Sequence, residues 1–369
     1  MATVAVIGLG TMGLGIAQTY AAAGFDVLAT DAHELARDNA VERLTGALAP
    51  RVEAGKLTPE ARDALLSRFQ VVPDAGAMGA ADLAIEAVVE RLEVKTAIFT
   101  ALEAVMAPDA VLATNTSSLS VAAMAEGLRN PGRLLGLHFF NPAPVMKLVE
   151  LVAHDGSAPE ALARARNLTE AAGKTVIACP DRPGFIVNRC ARPFYGEALA
   201  LLEEGRSASE IDAAMLAAGY RLGPFGLIDL VGADINLAAT ESLARAMANN
   251  PRYHVFDALK AQVASGNLGR KTGKGFLFPD RPETPPADAA AIALRIEATL
   301  VNEAAWLLAE GGTTRDGIDT ALKLGLNFPR GPFAMLEAHG PARIRAVLAG
   351  LEYAAPPALK RRYLPAPGL

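Results

Sequence analysis

Five residues of β-branched and small apolar character, Thr3-Val-Ala-Val-Ile7, run without a break into Gly8-Leu-Gly10-Thr-Met-Gly13 and then into an apolar helical stretch, 14–23. That order leaves few folds open. A strand that ends in a glycine turn and opens a helix puts free helix amides at the carboxyl end of a strand, where open α/β sheets bind their ligands. Gly8 permits the tight turn, Gly10 lets main chain approach a pyrophosphate, and Gly13 lets the helix lie close on the strand. Thr11 and Met12, between the glycines, are counted with them as cofactor contacts, and the amides of the helix N-terminus face the anion. The next strand, 26–30, runs into Asp31, which stands 18 residues after Gly13, near the spacing of about 20 expected of the carboxylate that bonds the adenine ribose hydroxyls. A carboxylate there repels a 2′-phosphate, so NAD is expected over NADP. The fold expected is an α/β domain of Rossmann type.

The pattern continues as βα alternation. Two charged helices, 34–54 and 59–68, form an insertion longer than a simple crossover, either an arm over the cleft or plain surface packing. Short strands follow at 69–72 and 83–85, the second running into Glu86-Ala-Val-Val-Glu90; a helix covers 93–105, and the strand 111–113 spills into Thr114-Asn-Thr-Ser-Ser118. Those hydroxyls either serve a ligand at the sheet edge or cap the helix 121–127. The apolar run 134–137 reads as a buried strand delivering His138 at its carboxyl end, and Pro142 and Pro144 force an extended exit. A further strand, 147–151, returns Glu150 to the loop just left. An imidazole backed by a carboxylate is a tunable acid/base pair, suited to taking the proton of an alcohol while another group takes the hydride. Helix 159–172 and strand 175–178 complete the alternation.

Beyond Pro180-Asp-Arg-Pro-Gly184 no strand pattern is convincing, and the chain reads as helices at 185–204, 208–217, 226–247 and 256–265. Gly269-Arg-Lys-Thr-Gly-Lys-Gly275 is basic and glycine-rich but does not fit the P-loop spacing. A proline-rich linker, 279–287, then precedes a repeat. Glu-Ala-Leu-Ala-Leu-Leu-Glu-Glu-Gly, Glu-Ile-Asp-Ala-Ala-Met and Gly-Pro-Phe in 197–230 return as Glu-Ala-Ala-Trp-Leu-Leu-Ala-Glu-Gly, Gly-Ile-Asp-Thr-Ala-Leu and Gly-Pro-Phe in 303–338, at an offset drifting only from 106 to 108 residues. The helical unit is therefore duplicated, with Trp306 expected on the core face of the second copy. The domains expected are 1–182, 183–279 and 290–369; a chain of 369 residues exceeds the roughly 100–200 of one domain. With a net charge of −5 and no long basic run, neither nucleic acid nor an anionic membrane is an expected partner. Two cysteines, Cys179 and Cys190, make no C-x-x-C pair, so neither a zinc site nor any other metal is expected. No apolar run reaches membrane length, and the start lacks a basic signal region, so a cytoplasmic protein is expected.

Taken together, Gly8-Leu-Gly-Thr-Met-Gly-Leu-Gly-Ile-Ala17, Glu86-Ala-Val-Val-Glu90, Asn115-Thr-Ser-Ser-Leu119, Gly136-Leu-His-Phe-Phe-Asn-Pro142, Pro183-Gly-Phe-Ile-Val-Asn-Arg189 and Lys271-Thr-Gly-Lys-Gly-Phe276 resemble the L-3-hydroxyacyl-CoA dehydrogenase family over residues 3 to about 278. The resemblance implies an NAD-dependent oxidoreductase acting on an acyl-CoA thioester, with His138 as general base or acid and Glu150 as its orienting carboxylate. Ser117 and Asn188 match polar positions around the substrate oxygen and the nicotinamide, and Glu90, Lys95, Asn141 and Lys271 match cofactor contacts. Because Asn188 comes from the helical part, both parts are expected to contribute. The family's CoA contacts fall in the helical arm, where this sequence matches poorly and Lys56 is the one cation suggested. A relative acting on a free hydroxy acid of the carnitine or sugar-acid type shares the same pair, and a non-catalytic NAD-binding protein is a third reading. In single-copy members the helical domain is the usual dimer contact. The second copy here, in which Leu294 falls opposite Asn188, is thus expected to replace that partner within a monomer, although homodimers remain compatible.

Overall fold

The structure, a computed structural model, describes residues 2–369, which divide into two compact units at Arg182 and Pro183. The first is built on one eight-stranded sheet: β1 (Thr3–Ile7), β2 (Asp26–Thr30), β3 (Phe69–Val71), β4 (Leu83–Glu86), β5 (Val111–Thr114), β6 (Leu134–Phe139), β7 (Leu148–Ala153) and β8 (Thr175–Pro180). Their spatial order is β3-β2-β1-β4-β5-β6-β7-β8. The chain reverses direction of travel across the sheet after β3, so the crevice beside β1 is the switch point at which such sheets bind ligands. All pairings are parallel except β6 with β7. Central strands covered by helices on both faces need apolar residues on both sides. Accordingly β4, β5 and β6 are buried along their whole length.

The antiparallel β6–β7 pair explains why two residues twelve apart can work together. Residues 140–147 turn the chain back, and the register sets His138 directly opposite Glu150. The arm departs from the expected single helix 34–54. Asn39 separates Glu34–Asp38 from Ala40–Glu53, and Thr58 then caps Pro59–Ser67 by accepting from the Ala61 amide.

The second unit carries its regular structure as helices, with one isolated bridge between Gly269 and Lys274. Helices Arg192–Glu203, Ala208–Ala217, Pro224–Val231 and Ala233–Ala246 of the first copy recur as Ala289–Ala309, Arg315–Leu326, Pro332–His339 and Pro341–Ala354. Two expected helices are each divided. The stretch 226–247 breaks at Gly232, whose φ of 112° a helix cannot hold, and 185–204 breaks into Val187–Cys190 and Arg192–Glu203. The copies share buried details. Asp212 accepts from the Phe225 and Gly226 amides, capping Pro224–Val231, and Asp319 accepts from Phe333 and Ala334 at the start of Pro332–His339.

They also exchange side chains reciprocally. Arg189 gives Nε to Glu303 and its two terminal nitrogens to Glu310, all at 2.7 Å. Arg295 gives Nε to Glu197 at 2.7 Å and its terminal nitrogens to Glu204 at 2.6 and 2.7 Å. Tyr253 and Arg252 complete the surroundings of Glu303 as Tyr363 and Arg362 complete those of Glu197. Such a swap of equivalent pairs is the signature of an isologous two-fold contact, here made within one chain. Trp306, expected in the core, is only partly buried: the Arg252 guanidinium lies 4.5 Å from its ring centroid.

Candidate active site

At the carboxyl end of β1 the glycine turn does what its spacing implies. Gly8 has φ +99°, and a Cβ there would lie 2.6 Å from the Ala87 carbonyl oxygen. A Cβ on Gly13 would collide with the Gly8 carbonyl, whereas one on Gly10 would meet nothing within 4 Å, leaving its main chain open to a ligand. Helix Thr11–Ala22 starts with no side-chain cap, so its first-turn amides remain available to an anion, while the Met12 side chain packs on the core. Asp31, after β2, accepts from the Leu9 amide at 2.7 Å and the His33 amide at 2.9 Å. Each carboxylate oxygen keeps a lone pair for a ribose diol. Gly8, Gly10 and Asp31 line one cavity of about 510 Å³ together with Arg37 and Val88. These residues fit the adenosine end of NAD.

A buried charge network joins that turn to the polar run after β5. The Lys95 ammonium is enclosed by Glu86, at 2.7 and 2.9 Å, and by Glu90 at 3.2 Å. Glu86 in turn accepts from the Val88 amide and the Thr114 hydroxyl. Glu90 gathers the Thr116 hydroxyl, the Ser117 amide and the Ser118 hydroxyl. Burial pushes the Glu90 carboxyl up, but the Thr116 hydroxyl and the Lys95 charge outweigh it and hold it below its ordinary range. Glu90 is therefore an ionised anchor for the turn carrying Ser117. Glu86 and Asn115 were not singled out by the sequence as site residues. Asn115 accepts from the Phe139 amide through Oδ1 at 2.8 Å, locking the strand end next to His138. Both stand first in motifs already noted, which was the available signal.

His138 and Glu150 meet as expected: Nδ1 lies 2.7 Å from Oε2, with His138 at 6% and Glu150 at 0% exposure. A carboxylate at Nδ1 selects the tautomer with the proton on Nδ1 and the lone pair on Nε2, so Nε2 is the atom that can take a proton. Asn141 follows on the 140–147 loop and lines a second cavity, about 790 Å³, with Thr11, Gly15 and Gln18. The arm's cations on that cavity are Arg43 and Arg51, rather than Lys56, which is exposed. In the second unit Asn188 sits in the short helix Val187–Cys190, and the Lys271 ammonium pairs with Asp234 at 2.5 and 2.6 Å.

The family described as "3-hydroxyacyl-CoA dehydrogenase, NAD binding domain" matches residues 3–182, and "3-hydroxyacyl-CoA dehydrogenase, C-terminal domain" matches twice, at 184–278 and 292–366. A 3-hydroxyadipyl-CoA dehydrogenase of Escherichia coli K12 is 47% identical over 275 residues; the match covers 74% of this chain but 58% of that relative. The human mitochondrial hydroxyacyl-coenzyme A dehydrogenase is 39% identical over 281 residues, 74% of this chain and 90% of its own. A crystal structure of 3-hydroxybutyryl-CoA dehydrogenase from E. coli K12 superposes with a TM-score of 0.91 at 34% identity, covering 99% of this chain and 97% of that one.

Proposed function

The chain belongs to the 3-hydroxyacyl-CoA dehydrogenase family, and from that premise we propose that it catalyses the reversible NAD-dependent oxidation of an L-3-hydroxyacyl-CoA to the 3-ketoacyl-CoA. The observation that carries this reading is the 2.7 Å His138–Glu150 contact, set at the same sheet edge as the glycine turn and Asp31. NAD supplies the hydride acceptor for oxidation and, reduced, the donor for the reverse reaction. The 3-hydroxyl gives its proton to Nε2 of His138 as the C3–H bond is lost and the ketone forms; in reverse the imidazolium returns that proton. Glu150 holds the ring through Nδ1 and offsets the imidazolium charge. We assign Ser117 and Asn188 to the substrate oxygen and the nicotinamide, and Glu90, Lys95, Asn141 and Lys271 to the cofactor. For Lys95 the share is electrostatic, since its ammonium is taken up by Glu86 and Glu90.

The test is the change in absorbance at 340 nm when the protein is mixed with NADH and acetoacetyl-CoA. Rapid loss of the signal supports the reading, and no loss with acetoacetyl-CoA beside turnover of a free keto acid overturns it. The assignment also carries a cytoplasmic setting, consistent with a chain that holds only two cysteines, both buried. No helix among the described residues is long and apolar enough to cross a membrane. We further assign the second helical copy to the place of a partner subunit, on the strength of the reciprocal arginine pairs. Light scattering should then give a mass near 38.4 kDa, and a stable mass of twice that would end the idea.

A further inference from the structure

Lys174 stands out because it is charged, 8% exposed, and bonded to no carboxylate among the described residues. Its Nζ donates to the carbonyl oxygens of Ala143, at 2.5 Å, and Met146, at 2.8 Å. Both acceptors belong to the 140–147 loop, the single connection between the strand bearing His138 and the strand bearing Glu150. The far side of that loop rests on the cofactor helix. A Cβ on Gly15 would lie 3.2 Å from the Pro144 ring and 3.3 Å from Ala143 Cβ. Inside the loop the Val145 and Met146 amides both donate to the Pro142 carbonyl.

The base on which Lys174 stands is rigid. Gly173, with φ 78°, ends helix Pro159–Ala171, and the Lys174 amide donates to the Thr169 carbonyl. The Thr169 hydroxyl meets the Tyr20 hydroxyl at 2.8 Å, and Tyr20 packs edge-on against Phe139, the neighbour of His138. A methionine would fill the same volume without desolvating a charge. What the ammonium adds is direction: two carbonyls that the strand ladder does not use are drawn to one point.

We propose that Lys174 is a positioning residue for the hydroxyacyl-CoA reaction: its ammonium fixes the 140–147 loop and thereby the alignment of His138 with Glu150 and the placement of Asn141. The proposal rests on the dehydrogenase reading for its kinetic consequence, but not for its structural one. Burial, followed by the like charge of Lys147, brings the Lys174 ammonium down to about 8. Of the other titratable neighbours, Tyr20 is tied to Thr169 and Glu170 is paired with Arg166. Loss of the proton leaves an amine whose bonds to the carbonyls are weaker, so the loop loosens as pH rises through about 8. Global stability moves the other way. A folded value below the ordinary 10.5 means that the folded chain releases this proton first, and the group's own contribution to stability rises between about 8 and 10.5. A structural role would not separate the two trends.

Hydrogen–deuterium exchange of the peptide spanning 140–147, corrected for intrinsic amide rates, tests the loop directly in the unmodified protein and in Lys174→Met. The expected result is uptake roughly tenfold faster at pH 9 than at pH 7 in the unmodified protein, and fast at both pH values in the variant, with no loss of thermal midpoint. Oxidation of 3-hydroxybutyryl-CoA should lose about tenfold in kcat in the variant, and its decline above pH 8 should disappear. Equal uptake in both proteins at both pH values overturns the proposal. If Lys174→Met does not fold, the pH step in the unmodified protein decides alone: its presence supports the clamp and its absence overturns it. Absence of any acyl-CoA turnover would refute the dehydrogenase reading while leaving the exchange result to judge the loop.

Discussion

The duplicated helical unit supplies a matched pair of substitutions, Glu310→Gln and Glu204→Gln. Each glutamate takes the two terminal nitrogens of an arginine from the other copy, Arg189 and Arg295 respectively, at 2.6–2.7 Å. Their chemistry is the same and their exposures are 34% and 55%. With carboxylates this open to water the loss is modest, about 1–2 kcal/mol each, above the usual surface pair because the guanidinium geometry is bidentate. At about 2–4 °C per kcal/mol for a unit of this size, both variants should melt roughly 2–8 °C lower. What differs is the residue beside each arginine. Arg189 follows Asn188 in the helix Val187–Cys190, four residues long and unable to hold itself together, so its register depends on what grips it. Arg295 follows Leu294 inside the 21-residue helix Ala289–Ala309, which needs no such grip. Because misplacing a reacting group by about 1 Å costs on the order of 100-fold, Glu310→Gln should lower kcat by about tenfold, and Glu204→Gln should leave it within about twofold. Circular dichroism melts at 222 nm and steady-state assays at 340 nm give the two numbers. Equal kcat in both variants, with equal melting losses, would refute the claim that the second copy acts on Asn188 through Arg189.

Substituting His138→Gln should reduce turnover by about 10²–10⁴ while NADH affinity, read by fluorescence titration, stays nearly constant; a loss below tenfold would remove His138 from the acid/base role. Asp31→Ser should narrow the preference for NAD over NADP chiefly by weakening NAD, and equal kcat/KM with both cofactors in the unmodified protein would contradict the ribose-diol assignment. Burial pushes the Asp212 carboxyl up to about 7, with a smaller push from Asp229, against the two amides that favour its ionised form. A folded value above the ordinary one means a stabilising contribution that is full below about 3.8 and fades as pH rises through about 7. In Asp212→Asn the thermal midpoint should therefore fall less between pH 5 and pH 8 than in the parent; an unchanged difference would discard this account.

How much of this was legible depended on whether the signal was local. The glycine turn is local: φ > 0 at Gly8, close approach at Gly13 and an open face at Gly10 follow from residue types at fixed spacing, and the structure reproduces all three. So is the His138–Glu150 pair, because a short connection, kept from being a helix by its prolines, returns the chain beside the strand it left, and the strand period then decides which side chains face one another. Helix continuity was less legible. The sequence reads as one helix across Gly232, and only the φ of 112° shows the break there. Least legible were partners set by tertiary contact. Nothing near Arg189 in sequence announces Glu303 or Glu310, more than a hundred residues away, and nothing near Lys174 announces two carbonyls on the His138 loop. The repeat did contain a hint of the first. Glu197, Glu204, Glu303 and Glu310 recur at one offset, as do the two arginines, and charges that survive duplication on otherwise apolar helices need buried partners of opposite sign. The partners they find are in each other's copy. A copy that places Leu294 where the first has Asn188 still keeps the arginine beside it and the glutamates that receive its twin. What duplication preserved was the contact between copies, and through Arg189 that contact reaches the segment carrying Asn188.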